Sequence, residues 1–320
     1  MKKIVFLITM AVLLTACSGD DSPDALTTGA ETAAIPVTGI TAMLADSDDG
    51  TVTRATYGGT WAGSENVAVA MKTPVGTTYT TKNYTTTAAG VLSPKDASNT
   101  LYWVSYAGNH TVKAWYFGDG TYYSSCAKSW TVSTTQTTAT LQSNDFIYAP
   151  ATTMKYSDAT KKLTFHHQLV KVIVRVKRLA EGVDVTVNSV TMGNSNIVTK
   201  GTFAEPATNA TDQNHGTWAL STTSTDKKTV TLASTADTDD YKEYTALIIP
   251  QTIANGTLFT VNTVMGSLTY TSSLTAEAGK QYLYTFNYTP YGLTVTSTVT
   301  PWDSTTAEET NSIYNVAHDN

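Results

Sequence analysis

The chain has 320 residues, 41% hydrophobic and 14% charged, with a formal net charge of −6. That charged share is well below the roughly 25% of an average globular protein, and no basic patch is concentrated anywhere, which argues against a nucleic-acid partner. Thr, Ser, Asn, 18 Tyr and 6 Trp fill the polar and aromatic share instead. Such residues suit a pleated, half-buried surface, so the composition predicts an all-β, extracellular protein.

Lys2 and Lys3 precede an apolar run, Ile4 to Leu14, too short to span a membrane as a stable helix. The run closes with Leu14-Thr15-Ala16-Cys17, which resembles a bacterial lipobox. Residues 1–16 are therefore expected to be removed as a lipoprotein signal peptide, with lipid attached to the sulfur of Cys17. Ser18 to Asp21 resembles the acidic surface-export signal of Bacteroidetes lipoproteins. With Cys17 assigned to lipid, Cys126 lacks an intramolecular partner, and stability must come from packing rather than disulfides. Residues 18 to about 34 read as a flexible acidic tether.

A weak strand signal follows in Ile35 to Leu44, where Pro36 suits an edge position. Asp46 to Gly50 is a turn that fails the calcium-loop pattern. Asn66 to Met71 places Val67, Val69 and Met71 on one strand face, and Thr100 to Gly108 alternates Tyr102, Val104 and Tyr106. Val112 to Ser124 reads as a hairpin about Gly118-Asp119-Gly120. Asp145 to Pro150 is another short strand, and the polar stretch Tyr156 to Lys162 is a candidate domain boundary. In Leu163 to Arg178 the apolar residues occupy odd positions up to Leu169 and even positions, all Val, from Val170. That switch of face predicts a bulge or a strand that changes sheets. Gln281 to Tyr288 sets Tyr282, Tyr284, Phe286 and Tyr288 on one face. Leu293, Val295 and Val299 then oppose a row of Thr. Many short strands at regular spacing predict two β-sandwich domains, over residues 55–160 and 161–320, with residues 17–54 outside them.

Catalytic and metal-binding motifs are not found: there is no nucleophile elbow, P-loop, HExxH or zinc-type cysteine spacing. No cofactor, metal site or catalytic residue is predicted, and the chain is read as a non-enzyme. His166 and His167 are adjacent and point to opposite faces of a strand, so one packed and one surface imidazole is the expectation. Cys126 is expected to be a small buried hydrophobe.

The chain has three arginines, Arg54, Arg175 and Arg178. The latter two sit in or at the end of the Val-rich strand, where folding shields them. Arg54 lies in a polar, Gly-flanked connection where proteolysis needs little unfolding. An arginine-specific protease would have one easy site there, between Arg54 and Ala55, and cutting would free residues 55–320 from the lipid. A solvated arginine in a strand fits the local sequence equally well.

The lipobox, the Thr53-Arg54-Ala55-Thr56 segment with Trp61 and Glu65 to Val69, the Asp145 to Ala149 strand, Leu163 to Val176, Leu247 to Gln251 and Ala278 to Trp302 run in one order along the chain. Together they resemble the fimbrillin family of Bacteroidetes, subunits of protease-assembled surface pili. The resemblance departs at Pro301, where an acidic residue is common before the tryptophan, and in the polar tail from Asp303 to Asn320. It implies two tandem transthyretin-like β-sandwich domains, export as an outer-membrane lipoprotein, and loss of an N-terminal strand to an arginine-specific protease. A strand of another pilus subunit would then fill the opened groove, with Leu293, Val295, Val299 and Trp302 as donor-strand candidates and a stalk subunit as the expected role. Two alternatives stand beside it. One is a pilus anchor that keeps its N-terminal strand and lipid. The other is a lipid-anchored glycan-binding protein stacking sugars on Trp61, Trp103, Trp115, Trp130 and Tyr122.

Overall fold

The computed structural model describes residues 35–45, 61–177, 186–264, 266–289, 292–302 and 308–313. The first half contributes β1 (Ile35–Pro36), β2 (Ile40–Leu44), β3 (Asn66–Lys72), β4 (Thr80–Thr86), β5 (Val91–Pro94), β6 (Tyr102–Trp103), β7 (His110–Phe117), β8 (Ser129–Thr131), a short helix α1 (Thr138–Asn144), β9 (Phe146–Met154) and β10 (Lys162–His167). The second contributes β11 (Val170–Lys177), β12 (Val187–Val198), β13 (Lys200–Ala204), β14 (Thr217–Leu220), β15 (Lys227–Thr231), β16 (Ala233–Asp237), β17 (Tyr241–Ile248), β18 (Gln251–Thr263), β19 (Gly266–Ala276), β20 (Lys280–Thr289), β21 (Gly292–Pro301) and β22 (Glu308–Ile313). The fold is all-β, as the composition predicts.

In the first half the strands close into a barrel in the order β10-β2-β5-β4-β3-β7-β9 rather than forming two open sheets. Closure comes from β10 pairing with β9 on one side and, in parallel, with β2 on the other. The barrel is filled by Val67, Val69, Met71, Tyr84, Leu92, Leu163 and Phe165, among others. In the second half the sheet β16-β17-β11-β20-β21-β22 and the sheet β15-β12-β18-β19 both contribute to one core. Val172, Val174, Tyr284 and Phe286 come from the first sheet, and Val190, Met192, Phe259 and Tyr270 from the second.

The predicted switch of face is a change of sheets. Leu163 and Phe165 point into the barrel, Leu169 into a junction core, and Val170, Val172, Val174 and Val176 into the second core. Full burial of each such side chain contributes about 1.5–3 kcal/mol, so one short stretch ties three cores together. The junction core also holds Phe117, Trp130, Phe146, Phe203, Ile249 and Trp302, and Phe117 stacks on Phe146 with ring centroids 4.4 Å apart. The strand Asn66–Lys72 serves two cores as well: Val67, Val69 and Met71 face the barrel, while Ala68 and Ala70 face the junction.

Three local expectations are corrected. The segment Thr100 to Gly108 yields only the two-residue β6, and the buried residues are Leu101 and Trp103 while Tyr102, Val104 and Tyr106 are exposed. The turn at Gly118 to Gly120 is present, with Gly120 at φ +73°, but no hairpin follows. Strand β9 pairs with β7 up to Phe117 and β3 pairs with it from Thr111 to Trp115, so only Tyr116 and Phe117 lack a partner on one edge and a return strand has little of β7 to pair with. Helix α1 was not expected. It is too short to show a period, and its signature is a Thr–Thr capping box, with the Thr140 amide donating to the Thr137 hydroxyl at 3.3 Å and the Thr137 amide to the Thr140 hydroxyl at 2.6 Å.

The registers define two ends for each half. Phe117, Phe146 and Leu169 lie in the junction core, so the opposite end of the barrel carries the start of β7, the end of β9, the start of β10 and the end of β3. The chain enters β1 and β2 at that outer end and runs toward the junction, from Thr41 opposite Lys162 to Leu44 opposite Phe165. In the second half, Ile249 and Trp302 lie at the junction, and the outer end carries Lys177 opposite Tyr241 and Asn287, the β18–β19 turn, and the start of β21 at Gly292.

Candidate functional site

The strand on the amino-terminal side of Arg54 is built into the barrel. Strand β2 lies between β10 and β5, parallel to the first and antiparallel to the second, with Ile40 opposite Leu92 and Thr41 opposite Val91. Alternation in Ile40-Thr41-Ala42-Met43-Leu44 turns Ile40, Ala42 and Leu44 inward, and Val37 is also fully buried. Backbone amides complete the seat. Val37 donates to the Leu101 carbonyl, Thr41 to Lys161 and Ala42 to Gly90, each at 2.8 Å, and Ala45 donates to Phe165 at 3.0 Å. Gly39, at φ +71°, breaks the segment so that Pro36 falls in the edge pair β1–β6, where its missing N–H costs nothing.

Buried side chains grip the same strand. The Tyr84 hydroxyl donates to the Val37 carbonyl at 3.0 Å and accepts from the Leu101 amide at 3.2 Å. Burial pushes its pKa up to about 12, against the Leu101 hydrogen bond, so it stays a neutral donor. Trp61 donates its indole N–H to the Ala42 carbonyl at 3.2 Å and packs edge-on against Tyr116 and Phe165. Gly90 allows the closest approach: a Cβ there would lie 2.4 Å from the Ala42 oxygen, and its φ is +73°.

The second segment is β21. It pairs with β20 from Gly292 opposite Thr289 to Pro301 opposite Lys280, and its other edge is covered by β22, with Val295 opposite Ile313 and Val299 opposite Glu308. Val295 is buried in the second core and Val299 packs against it. Trp302 closes the strand at the junction. Its amide donates to the Gly279 carbonyl at 2.8 Å, and its ring stacks on His167 at 4.0 Å and 3°. His167 in turn meets the buried Asp145 carboxylate at 3.0 Å.

Among the residues singled out from sequence, Cys17, Arg54 and Ala55 lie outside the described residues, as does the side chain of Leu293. His167 is buried, while His166 is half-buried and meets His215 edge-on at 5.7 Å. Trp61, Trp103, Trp115 and Trp130 are all buried, which removes four of the five residues named for sugar stacking. Cys126 is buried, and its thiol donates to Glu205 at 2.9 Å. Burial raises the thiol pKa, and the hydrogen bond to Glu205 raises it further, so the thiolate needed for reactivity is suppressed. Sequence reading missed Tyr84, Gly90 and the His167–Trp302 stack, because each acts on a segment far away in sequence. Only a weak strand signal over Ile35 to Leu44, with Pro36 suited to an edge, was read in advance.

A sequence-family profile described as fimbrillin-like matches residues 53–302. No curated protein matches the chain. Among solved structures, a candidate cell adhesion protein from Bacteroides uniformis superposes with a TM-score of 0.60 at 18% identity, over 86% of this chain and 100% of that one. One from Bacteroides ovatus gives 0.58 at 17% identity, over 88% and 98%.

Proposed function

Because the chain belongs to the fimbrillin-like family, we propose that it is a structural subunit of a surface pilus, in the stalk, assembled by strand addition after cleavage between Arg54 and Ala55. In this reading the chain reaches the outer membrane as a lipoprotein held by Cys17, and its halves are tandem transthyretin-like domains. The N-terminal half holds its own strand in place of a neighbour's until an arginine-specific protease cuts it. The description of the two similar structures as candidate cell adhesion proteins supports adhesion as the purpose of the fibre.

The observation that carries the proposal is the position of β2. It lies on the amino-terminal side of Arg54, yet among the described residues it is the strand that joins β10 to β5. Losing it would leave unpaired amides and carbonyls on both neighbours and vacate the places of Val37, Ile40, Ala42 and Leu44. Burial of Val37, Ile40 and Leu44 contributes about 1.5–3 kcal/mol each, and each backbone hydrogen bond about 0.5–1.5 kcal/mol net. A replacement strand of the right alternation recovers both contributions. In β21, Leu293, Val295 and Val299 fall on one face of the strand, as Ile40, Ala42 and Leu44 do in β2, with Ser297 between Val295 and Val299.

The test treats the purified full chain with an arginine-specific protease. A new N-terminus at Ala55, and SDS-resistant ladders that form after the cut, are expected, with the Arg54→Ala chain remaining monomeric. Ladders forming equally well from Arg54→Ala would overturn the proposal. A surface-recovered chain that keeps lipidated Cys17 and an intact Arg54 would identify an anchor instead.

A further inference from the structure

Five large hydrophobic side chains stand out as exposed among the described residues: Val75 at 93%, Val264 at 64%, Val104 at 60%, Tyr106 at 48% and Tyr102 at 41%. Four of them lie on neighbouring segments at one end of the barrel. The loops carrying Val75 and Tyr106 touch, since a Cβ on Gly108 would lie 2.7 Å from Pro74 and 2.7 Å from the Ser105 hydroxyl. Tyr106 packs edge-on against Tyr156 at 5.3 Å, and the Ser157 amide donates to the Tyr106 carbonyl at 3.4 Å, which brings in a third loop. All three loops lie at the outer end of the barrel, away from the junction. A concentrated apolar patch of this kind on a soluble protein marks a contact surface.

The patch also borders the place where β1 pairs with Tyr102 and Trp103. If residues 35–45 leave, that pairing is lost, and the Leu101 carbonyl loses the Val37 amide beside the same patch. The surface that receives an incoming strand and the exposed apolar surface are therefore continuous. The chain preceding Ile35 has little with which to cover it: from Ser18 to Ala34, Leu26 is the one large apolar side chain.

The fifth exposed residue identifies the partner. Val264 follows β18 at the outer end of the second half, opposite the junction, where its amide donates to the Thr186 carbonyl. Strand β21 starts at that same end, at Gly292, and remains joined there to β20. A β21 released from its sheet would therefore emerge at the same end of the second half as Val264. It would enter another copy's groove from the outer end of the barrel, running as residues 35–44 run, parallel to β10 and antiparallel to β5.

We propose that the Val75, Tyr102, Val104 and Tyr106 surface is the seat for the Val264 turn of a second copy of this chain, so that the outer end of one subunit's second half meets the outer end of the next subunit's barrel. This rests on the strand-addition reading and adds to it an interface outside the groove, together with a direction for the donor strand.

The experiment uses the full chain carrying Val104→Cys with Val264→Cys, and a second form carrying Val75→Cys with Val264→Cys. Each is cut by the arginine-specific protease and allowed to polymerise under mild oxidation. The two cysteines lie at opposite ends of one subunit, so a disulfide, which needs Cα atoms within about 7 Å, can form only between subunits. Ladders that survive boiling in SDS and collapse on reduction are the expected result for at least one pair. Polymer that forms normally but cross-links with neither pair overturns this inference and leaves strand addition standing. If no polymer forms even from the unmodified cut chain, strand addition fails and the inference fails with it. As an independent measure, Val75→Glu with Val104→Glu, at positions exposed enough to leave the fold intact, should lower polymer yield roughly tenfold or more while the melting temperature of the uncut chain is unchanged. Undiminished yield from that variant also overturns the inference.

Discussion

Replacing Gly90 with alanine tests whether the N-terminal strand is held by close backbone approach. Gly90 and Gly39 have nearly the same backbone, φ +73° and +71°, but different surroundings. An added Cβ at Gly39 meets nothing within 4 Å, whereas at Gly90 it would meet the Ala42 oxygen at 2.4 Å and the Trp61 ring at 3.1 Å. Gly39→Ala therefore isolates the cost of a left-handed alanine, about 1–2 kcal/mol. Gly90→Ala carries that same cost and also pushes away the Ala42 peptide. The Ala42-to-Gly90 and Trp61-to-Ala42 hydrogen bonds are then lost, at about 0.5–1.5 kcal/mol each. The expected total is about 2–5 kcal/mol. Urea unfolding of the uncut chain, followed by tryptophan fluorescence, reads both variants on one scale. A Gly90→Ala midpoint no lower than that of Gly39→Ala would refute the claim that the strand is gripped there.

Other expectations follow from the junction and from the Glu205 cluster. Trp302→Ala removes a buried indole from between the two halves and should destabilise the chain by about 3–5 kcal/mol; a loss under 1 kcal/mol in urea unfolding would mean that the stack on His167 is not a structural contact. Cys126 should resist a thiol-specific dye at pH 8 in the folded chain and react fully in urea, and rapid labelling of the native protein would contradict its burial and raised pKa. At Glu205, burial favours the neutral acid, but hydrogen bonds from Cys126, Lys113 and Tyr148 prevail and hold the pKa below its ordinary 4.5. Its contribution to stability is therefore complete above about pH 4.5 and lost as pH falls through the depressed folded value. Glu205→Gln should flatten the stability profile on that acid side, and an unchanged profile would dismiss the cluster as a source of acid sensitivity.

Local alternation was readable where burial repeats along one strand. The odd-to-even change at Leu169 and Val170 was readable as either a bulge or a change of sheets, and the assignment of Leu169 to the junction core and of the four even valines to the second core decides for the change of sheets. The same pattern misled at Thr100 to Gly108. Alternation there identifies two faces without saying which is inside, and Leu101 with Trp103, not Tyr102 with Val104, turned inward. Barrel closure was not readable, since it depends on parallel pairing between β2 and β10, which are far apart in sequence. The grip of Tyr84, Trp61 and Gly90 on the N-terminal strand was hidden for the same reason. Cys17 and Arg54 were read from sequence alone and lie outside the described residues.

The continuity of β10 with β11 has a mechanical consequence. A strand lodged beside β10 would pull on β10, and only Gln168 and Leu169 separate β10 from β11. Strand β11 lies in parallel register with β20, from Lys171 opposite Gln281 to Lys177 opposite Asn287. Tension applied at the junction end of β11 and at the outer end of β20 would drag the two strands past each other lengthwise. Every rung of that ladder would carry load at once, instead of opening one by one from an end. Rupture under force, which follows the unfolding rate rather than the equilibrium, would then be slow along this path, and the Val-rich strand would be the tensile member of the subunit.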